Sequence, residues 1–139
     1  MFDGNEDGRP AGRDALRLLT ARLKERARAE GFDKVGVARA DALAEEGARL
    51  SEWLARGFHG EMGWMARDPA RRTDPRELLA GARSVVCVAL NYYTPHEHAE
   101  SGDAGKISRY AWGDDYHDVL TGKLRALLAW VREEWPGVE

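Results

Sequence analysis

Cysteine is almost missing from this 139-residue chain, where Cys87 stands alone. One thiol excludes an internal disulfide, and it excludes a zinc or iron–sulfur centre built from this chain's own cysteines. Lysine is scarce too. The 21 basic residues are 17 Arg and 4 Lys, set against 24 acidic residues for a net charge of −3. The chain as a whole therefore has no electrostatic reason to seek nucleic acid, and the general Arg bias weakens any argument from a local Arg cluster. Long apolar runs are absent: none approaches the roughly 18–20 residues that a bilayer-spanning helix needs. The first eight residues, Met1 to Gly8, lack the basic start and apolar stretch of a secretion signal. No membrane attachment and a cytoplasmic location are the expectation.

What is present reads as one ordinary globular domain. With 43% hydrophobic residues, a chain of this length buries roughly two thirds of its unfolded surface. Residues 1–12, punctuated by Gly, Asp and Pro, read as a disordered leader, with the folded part at 13–139. From Asp14 to Glu30 the spacing of Leu16, Leu19, Leu23 and Ala27 is helical, and Gly31 stands at the C-cap. Val35 to Ala38 reads as a short strand. A second helix runs from about Asp41 to Arg56, stopped by Gly57. Residues 60–67 form one or two helical turns. Asp74-Pro75-Arg76-Glu77 is a helix start, with Asp as N-cap and Pro at the first helical position. Ser84 to Leu90 is apolar without alternation, which reads as a central strand covered on both faces. A polar loop over 94–106 leads to an amphipathic helix from Asp115 to about Trp135.

This order places the fold in the α/β or α+β class, with a small sheet flanked by helices. Two strands make a poor sheet under four helices. Either loops hide further strands, or the domain continues past Glu139; the second fits better, because an α/β unit would return with its next strand there.

Candidate site residues compete with plainer explanations. Arg67 follows Met62, Gly63, Trp64, Met65 and Ala66, and is either a surface cation at a helical turn or a rigid fork for amide and phosphate oxygens. Met62, Trp64 and Met65 suit a core as well as a flat ligand. Asn91-Tyr92-Tyr93 leaves the end of a strand, where α/β folds place ligand-facing residues, though edge aromatics explain it equally. Ser108-Arg109-Tyr110 runs toward the last helix. Asp114 and Asp115 resemble an acid pair, but Asp115 is better placed as an N-cap. His96-Glu97-His98 lacks a third clustered ligand, so no metal ligand is assigned. Arg67, Arg71, Arg72 and Arg76 interleave with acids and read as a solvated face.

Two strings narrow the choice. Gly57-Phe58-His59-Gly60-Glu61-Met62-Gly63-Trp64-Met65-Ala66-Arg67 and Ser108-Arg109-Tyr110-Ala111-Trp112-Gly113-Asp114-Asp115-Tyr116-His117, in this order, resemble the N-terminal part of the epoxyqueuosine reductases. Gly31-Phe32 before Val35-Gly36-Val37, the Pro75-Arg76-Glu77-Leu78-Leu79 helix and the strand ending in Asn91-Tyr92 support the resemblance, which covers about residues 14–135.

The resemblance implies an oxidoreductase that reduces epoxyqueuosine to queuosine in the tRNA anticodon loop, using cobalamin and [4Fe–4S] clusters. It implies an incomplete cobalamin-binding domain in a monomeric protein. Arg67 would contact the corrinoid, with Asn91 and Tyr110 in the same pocket. The family's proton-donating Asp and two sets of four cysteines lie downstream of any position here, so no catalytic residue is assigned and the isolated chain is expected to be an inactive fragment. The rival expectations are a non-catalytic corrinoid-binding module and a remnant without function.

Overall fold

A computed structural model describes residues 12–98, 100, 102–103 and 105–137, so the expected leader lies, apart from Gly12, outside the described residues. The described residues divide into two compact units, one within residues 12–36 and 88–137 and one of residues 37–87.

The first unit is built on two helices, α1 (Arg13–Ala29) and α4 (Tyr116–Glu134). Gly31, at φ 86°, ends α1 as its sequence position suggests. Its N–H donates to Arg28 O, and the Phe32 N–H donates to Ala27 O. This double closure satisfies two terminal carbonyls and brings Phe32 back onto Ala27. Both are buried, and with Leu127 of α4 they form a core flanked by Leu23, Val35, Val88, Leu120 and Trp130. Polar contacts brace the same helix pair. Lys123 Nζ donates to Glu30 O at 2.5 Å. The Arg22 guanidinium pairs with Glu134 at 2.5 Å and lies 6.0 and 5.7 Å from the rings of Trp130 and Trp135.

The second unit holds α2 (Ala44–Ala55), a 3₁₀ turn at Gly63–Ala66, α3 (Pro69–Thr73) and a 3₁₀ turn at Pro75–Glu77. Gly47 lets α2 approach α3, since a Cβ there would sit 3.6 Å from the Thr73 side chain. The Leu43 N–H donates to Thr73 O at 2.7 Å. Gly57 closes α2 as Gly31 closes α1: the Gly57 N–H donates to Leu54 O and the Phe58 N–H to Trp53 O. Here the following Phe58 stays 54% exposed, with the Arg56 guanidinium 4.3 Å from its ring centre.

Strands β1 (Lys34–Arg39) and β2 (Ser84–Ala89) make one two-stranded sheet. The ribbon is antiparallel: Asp33 N–H donates to Ala89 O just before β1, and Ala40 N–H to Arg83 O just after it. The expected class, helices with a small sheet, is what forms. The expected central strand is not. In a two-stranded sheet neither strand is central, and β2 leaves Val86 and Cys87 exposed. Asp74 caps as expected, its Oδ1 accepting from the Arg76 N–H, but the helix it starts is a single 3₁₀ turn. Among the described residues no helix is long and apolar enough to cross a membrane.

Candidate functional site

The first unit carries an open cleft of about 450 Å³ lined by Leu90, Asn91, Tyr92, Tyr110, Tyr116 and Leu120. Three local structures position these side chains. The first is the exit of β2. There the Asn91 N–H donates to Asp33 Oδ2 at 2.7 Å, and Asn91 Oδ1 accepts from the Tyr93 N–H at 3.0 Å. An Asn that folds its side chain over its own backbone in this way fixes a tight turn, so Leu90, Asn91 and Tyr92 are held at the strand end.

The second is the 3₁₀ turn at Arg109–Ala111. Arg109 Nη1 donates to Thr94 O at 3.3 Å, and its guanidinium lies 5.5 Å from the Tyr93 ring and 6.0 Å from the Trp112 ring. Trp112 Nε1 donates to Ile107 O at 2.8 Å. These contacts tie the segment before the turn to the β2 exit, and Tyr110 and Asn91 line the same cleft.

The third is the start of α4. Asp115 Oδ1 accepts from the backbone N–H of His117 at 2.8 Å and lies 2.8 Å from its Nδ1. The backbone hydrogen bond, with the ring contact behind it, holds the Asp115 carboxyl below its ordinary range. Asp115 is thus a cap, as its sequence position indicates. Tyr116 and Leu120, four apart on α4, face the cleft together. Tyr116 stacks on His117 at 4.0 Å and meets Tyr110 edge-on at 6.3 Å.

Asn91 and Tyr110 line the same cleft. Arg67 belongs to the other unit, where it is exposed, and its N–H donates to Trp64 O at 3.3 Å. Nearby, Arg72 Nη2 also donates to Trp64 O, at 2.9 Å, with its guanidinium 5.2 Å from the Trp64 ring. Sequence reasoning did not single out Leu90, Tyr116 or Leu120 as lining residues. The i, i+4 spacing of Tyr116 and Leu120 was the available signal. His98 packs edge-on against Trp112 at 4.8 Å, and among the described residues no three His, Cys, Asp or Glu side chains gather to hold a metal.

All four tyrosines of the chain, Tyr92, Tyr93, Tyr110 and Tyr116, lie in or beside this cleft. A pocket lined by two leucines, three tyrosines and one asparagine suits a flat organic ligand carrying amide or hydroxyl groups.

Comparisons with known proteins follow the same segments. The family model described as "Epoxyqueuosine reductase QueG, DUF1730" matches residues 72–139, which include β2, the cleft and α4. An epoxyqueuosine reductase of Gloeobacter violaceus is 54% identical over 118 residues, 84% of this chain and 36% of that protein. The chain is homologous to the epoxyqueuosine reductases. Another, from Synechocystis, is 50% identical over 95 residues, covering 68% of this chain and 32% of the relative. A crystal structure of an epoxyqueuosine reductase with an epoxyqueuosine-modified tRNA-Tyr stem loop matches with a TM-score of 0.70 at 31% identity, over 85% of this chain and 32% of that one. The chain spans about a third of the length of the epoxyqueuosine reductases it matches. Asn91 and Tyr110 lie inside the span matched by the family model, and Arg67 outside it.

Proposed function

We propose that this chain forms the N-terminal part of an epoxyqueuosine reductase, and that its tyrosine-lined cleft is one wall of the cofactor pocket. The observation that carries the reading is the meeting of Asn91 and Tyr110, from the β2 exit and the 3₁₀ turn before α4, in a single cleft. The substrate would be epoxyqueuosine in a tRNA anticodon loop, reduced to queuosine in the cytoplasm by a monomeric enzyme. When bound, cobalamin would supply the low-potential reducing chemistry.

The residues present fit part of such a group. The rings of Tyr92, Tyr110 and Tyr116 offer apolar faces to a macrocycle. The Asn91 amide and the tyrosine hydroxyls can bond the amide groups at its edge. A cleft of about 450 Å³ accommodates an edge of a corrinoid rather than the whole, so the remaining walls would come from elsewhere in the protein. Arg67, in the other unit, is proposed by itself as a cofactor contact, because its fork suits amide and phosphate oxygens. The chain's own work is to orient the ligand and exclude water from one side of it. A [4Fe–4S] cluster does not fit here: it takes four thiolate-type ligands, and the chain has Cys87 alone.

Titration of the purified chain with cobalamin, followed by visible absorbance, tests the assignment. Saturable binding that weakens about tenfold in Asn91→Ala and in Tyr110→Leu is expected. Binding that ignores both substitutions would remove the cleft from the cofactor site.

A further inference from the structure

The corrinoid assignment leaves Tyr93 over. Its side chain is outside the cleft lining and 67% exposed, yet it is held in place. Its backbone N–H is fixed by Asn91 Oδ1 at 3.0 Å, and the Arg109 guanidinium sits 5.5 Å from its ring centre. Arg109 is itself braced by Thr94 O and lies between Tyr93 and Trp112. An exposed aromatic ring with its backbone and one neighbour already ordered loses little freedom when a second planar group covers it.

Arg109 supplies a second observation. Among the described residues, seven arginines form ion pairs with carboxylates (Arg17, Arg22, Arg26, Arg39, Arg49, Arg56 and Arg76). Half-buried Arg109 forms none among the described residues. A partly desolvated guanidinium without a counter-charge is stabilised by electron-rich faces and by added acceptor groups. The Tyr93 and Trp112 rings provide such faces, and Thr94 O provides one acceptor. A ligand laid on or beside Tyr93 would add further acceptors.

We propose that Tyr93, backed by Arg109, is a stacking platform for an unpaired nucleobase of an RNA loop. The choice of RNA rests on the substrate reading above; the platform itself rests on the Tyr93–Arg109 geometry. Base-on-ring stacking needs no broad basic surface, and so it is compatible with a net charge of −3. It also tolerates any base, because every base has a π face. Tyr93 would hold a loop nucleotide outside the cleft while the cleft holds the cofactor edge.

The test uses the purified chain and a hairpin RNA with 2-aminopurine at one unpaired loop position. Stacking should quench the probe, with saturable binding. Tyr93→Leu should abolish the quench and weaken binding by roughly tenfold, in line with the loss of one base–aromatic stack. Tyr93→Phe should keep both, and circular dichroism of the two variants checks that they fold alike. Cobalamin titration of the same variants should match the parent chain, since Tyr93 lies outside the cleft. RNA binding unchanged in Tyr93→Leu would overturn the platform and give the ring to a protein contact. No quench by the parent chain would overturn it as well. Either failure leaves the cofactor reading to its own titration.

Discussion

Asp33 and Asn91 stand 58 residues apart in sequence and are joined by one hydrogen bond, the Asn91 N–H donating to Asp33 Oδ2 at 2.7 Å. The bond locks the point where β2 turns into the cleft. Asp33 also donates its own N–H to Ala89 O, so one residue holds the strand end by both its backbone and its side chain. Replacing Asp33 by Ala removes the acceptor and leaves the Asn91 turn to its own Asn91–Tyr93 bond. For an exposed pair the expected loss is about 0.5–1.5 kcal/mol in urea unfolding. Asp33→Asn keeps an acceptor oxygen and should recover most of it. If Asp33 positions the cleft, cobalamin affinity falls with the Ala variant and returns with Asn; equal behaviour of the two would confine Asp33 to ordinary strand stability.

Phe32 and Phe58 give a matched pair. Each follows a positive-φ glycine that closes a helix, and each donates its N–H five residues back. Their surroundings differ. Phe32 is 3% exposed in the core with Ala27 and Leu127, whereas Phe58 is 54% exposed beneath Arg56. Phe32→Ala should therefore cost about 3–5 kcal/mol, enough to unfold a chain with so small a core. Phe58→Ala should cost no more than about 1 kcal/mol, the scale of an exposed cation–π contact. Thermal melts of the two variants check the contrast. A large loss at Phe58 would show that its ring is covered by protein in solution.

The helix ends were legible in the sequence because their signals are local. Gly31, Gly57 and Asp115 act on groups within five residues of themselves, and all three stop or start helices where their positions indicate. The candidate site was half legible. Asn91 and Tyr110 could be named, but Tyr116 and Leu120 entered only once α4 had a fixed start. The Asp33–Asn91 bond left no trace, since nothing near either residue marks a partner 58 positions away. The burial of β2 was misread for a related reason. An unbroken apolar run states that its residues favour cover, not which other part of a protein supplies it.

Cys87 makes that misreading measurable. A strand covered on both faces would hide its thiol, but Cys87 is exposed on β2. The native chain should react with a thiol-specific reagent at one equivalent per chain, at a rate close to that of the same chain in urea. Protection of the native thiol by a hundredfold or more would mean that another surface covers this face of β2.

Asp74 and Arg76 form a pair whose stability contribution depends on pH at the acid end. The Arg76 side chain, donating through Nε at 2.8 Å and Nη2 at 2.7 Å, and then its backbone N–H, pull the Asp74 carboxyl from the ordinary 3.8 down to about 2. The same pairing raises the pKa of Arg76. Because the folded value lies below the unfolded one, the ionised carboxylate favours the folded state fully above pH 3.8. That contribution fades as the pH falls from 3.8 through about 2. Arg76→Gln removes the guanidinium fork while keeping the backbone donor, so Asp74 should titrate closer to 3.8 by carboxyl NMR. Its acid unfolding midpoint should then move to higher pH. Asp74→Asn keeps an oxygen for the Arg76 N–H but loses the titration, and its stability should vary less between pH 4 and pH 2 than that of the parent chain. An Asp74 titration unchanged by Arg76→Gln would mean that the backbone hydrogen bond, not the fork, holds the carboxyl down.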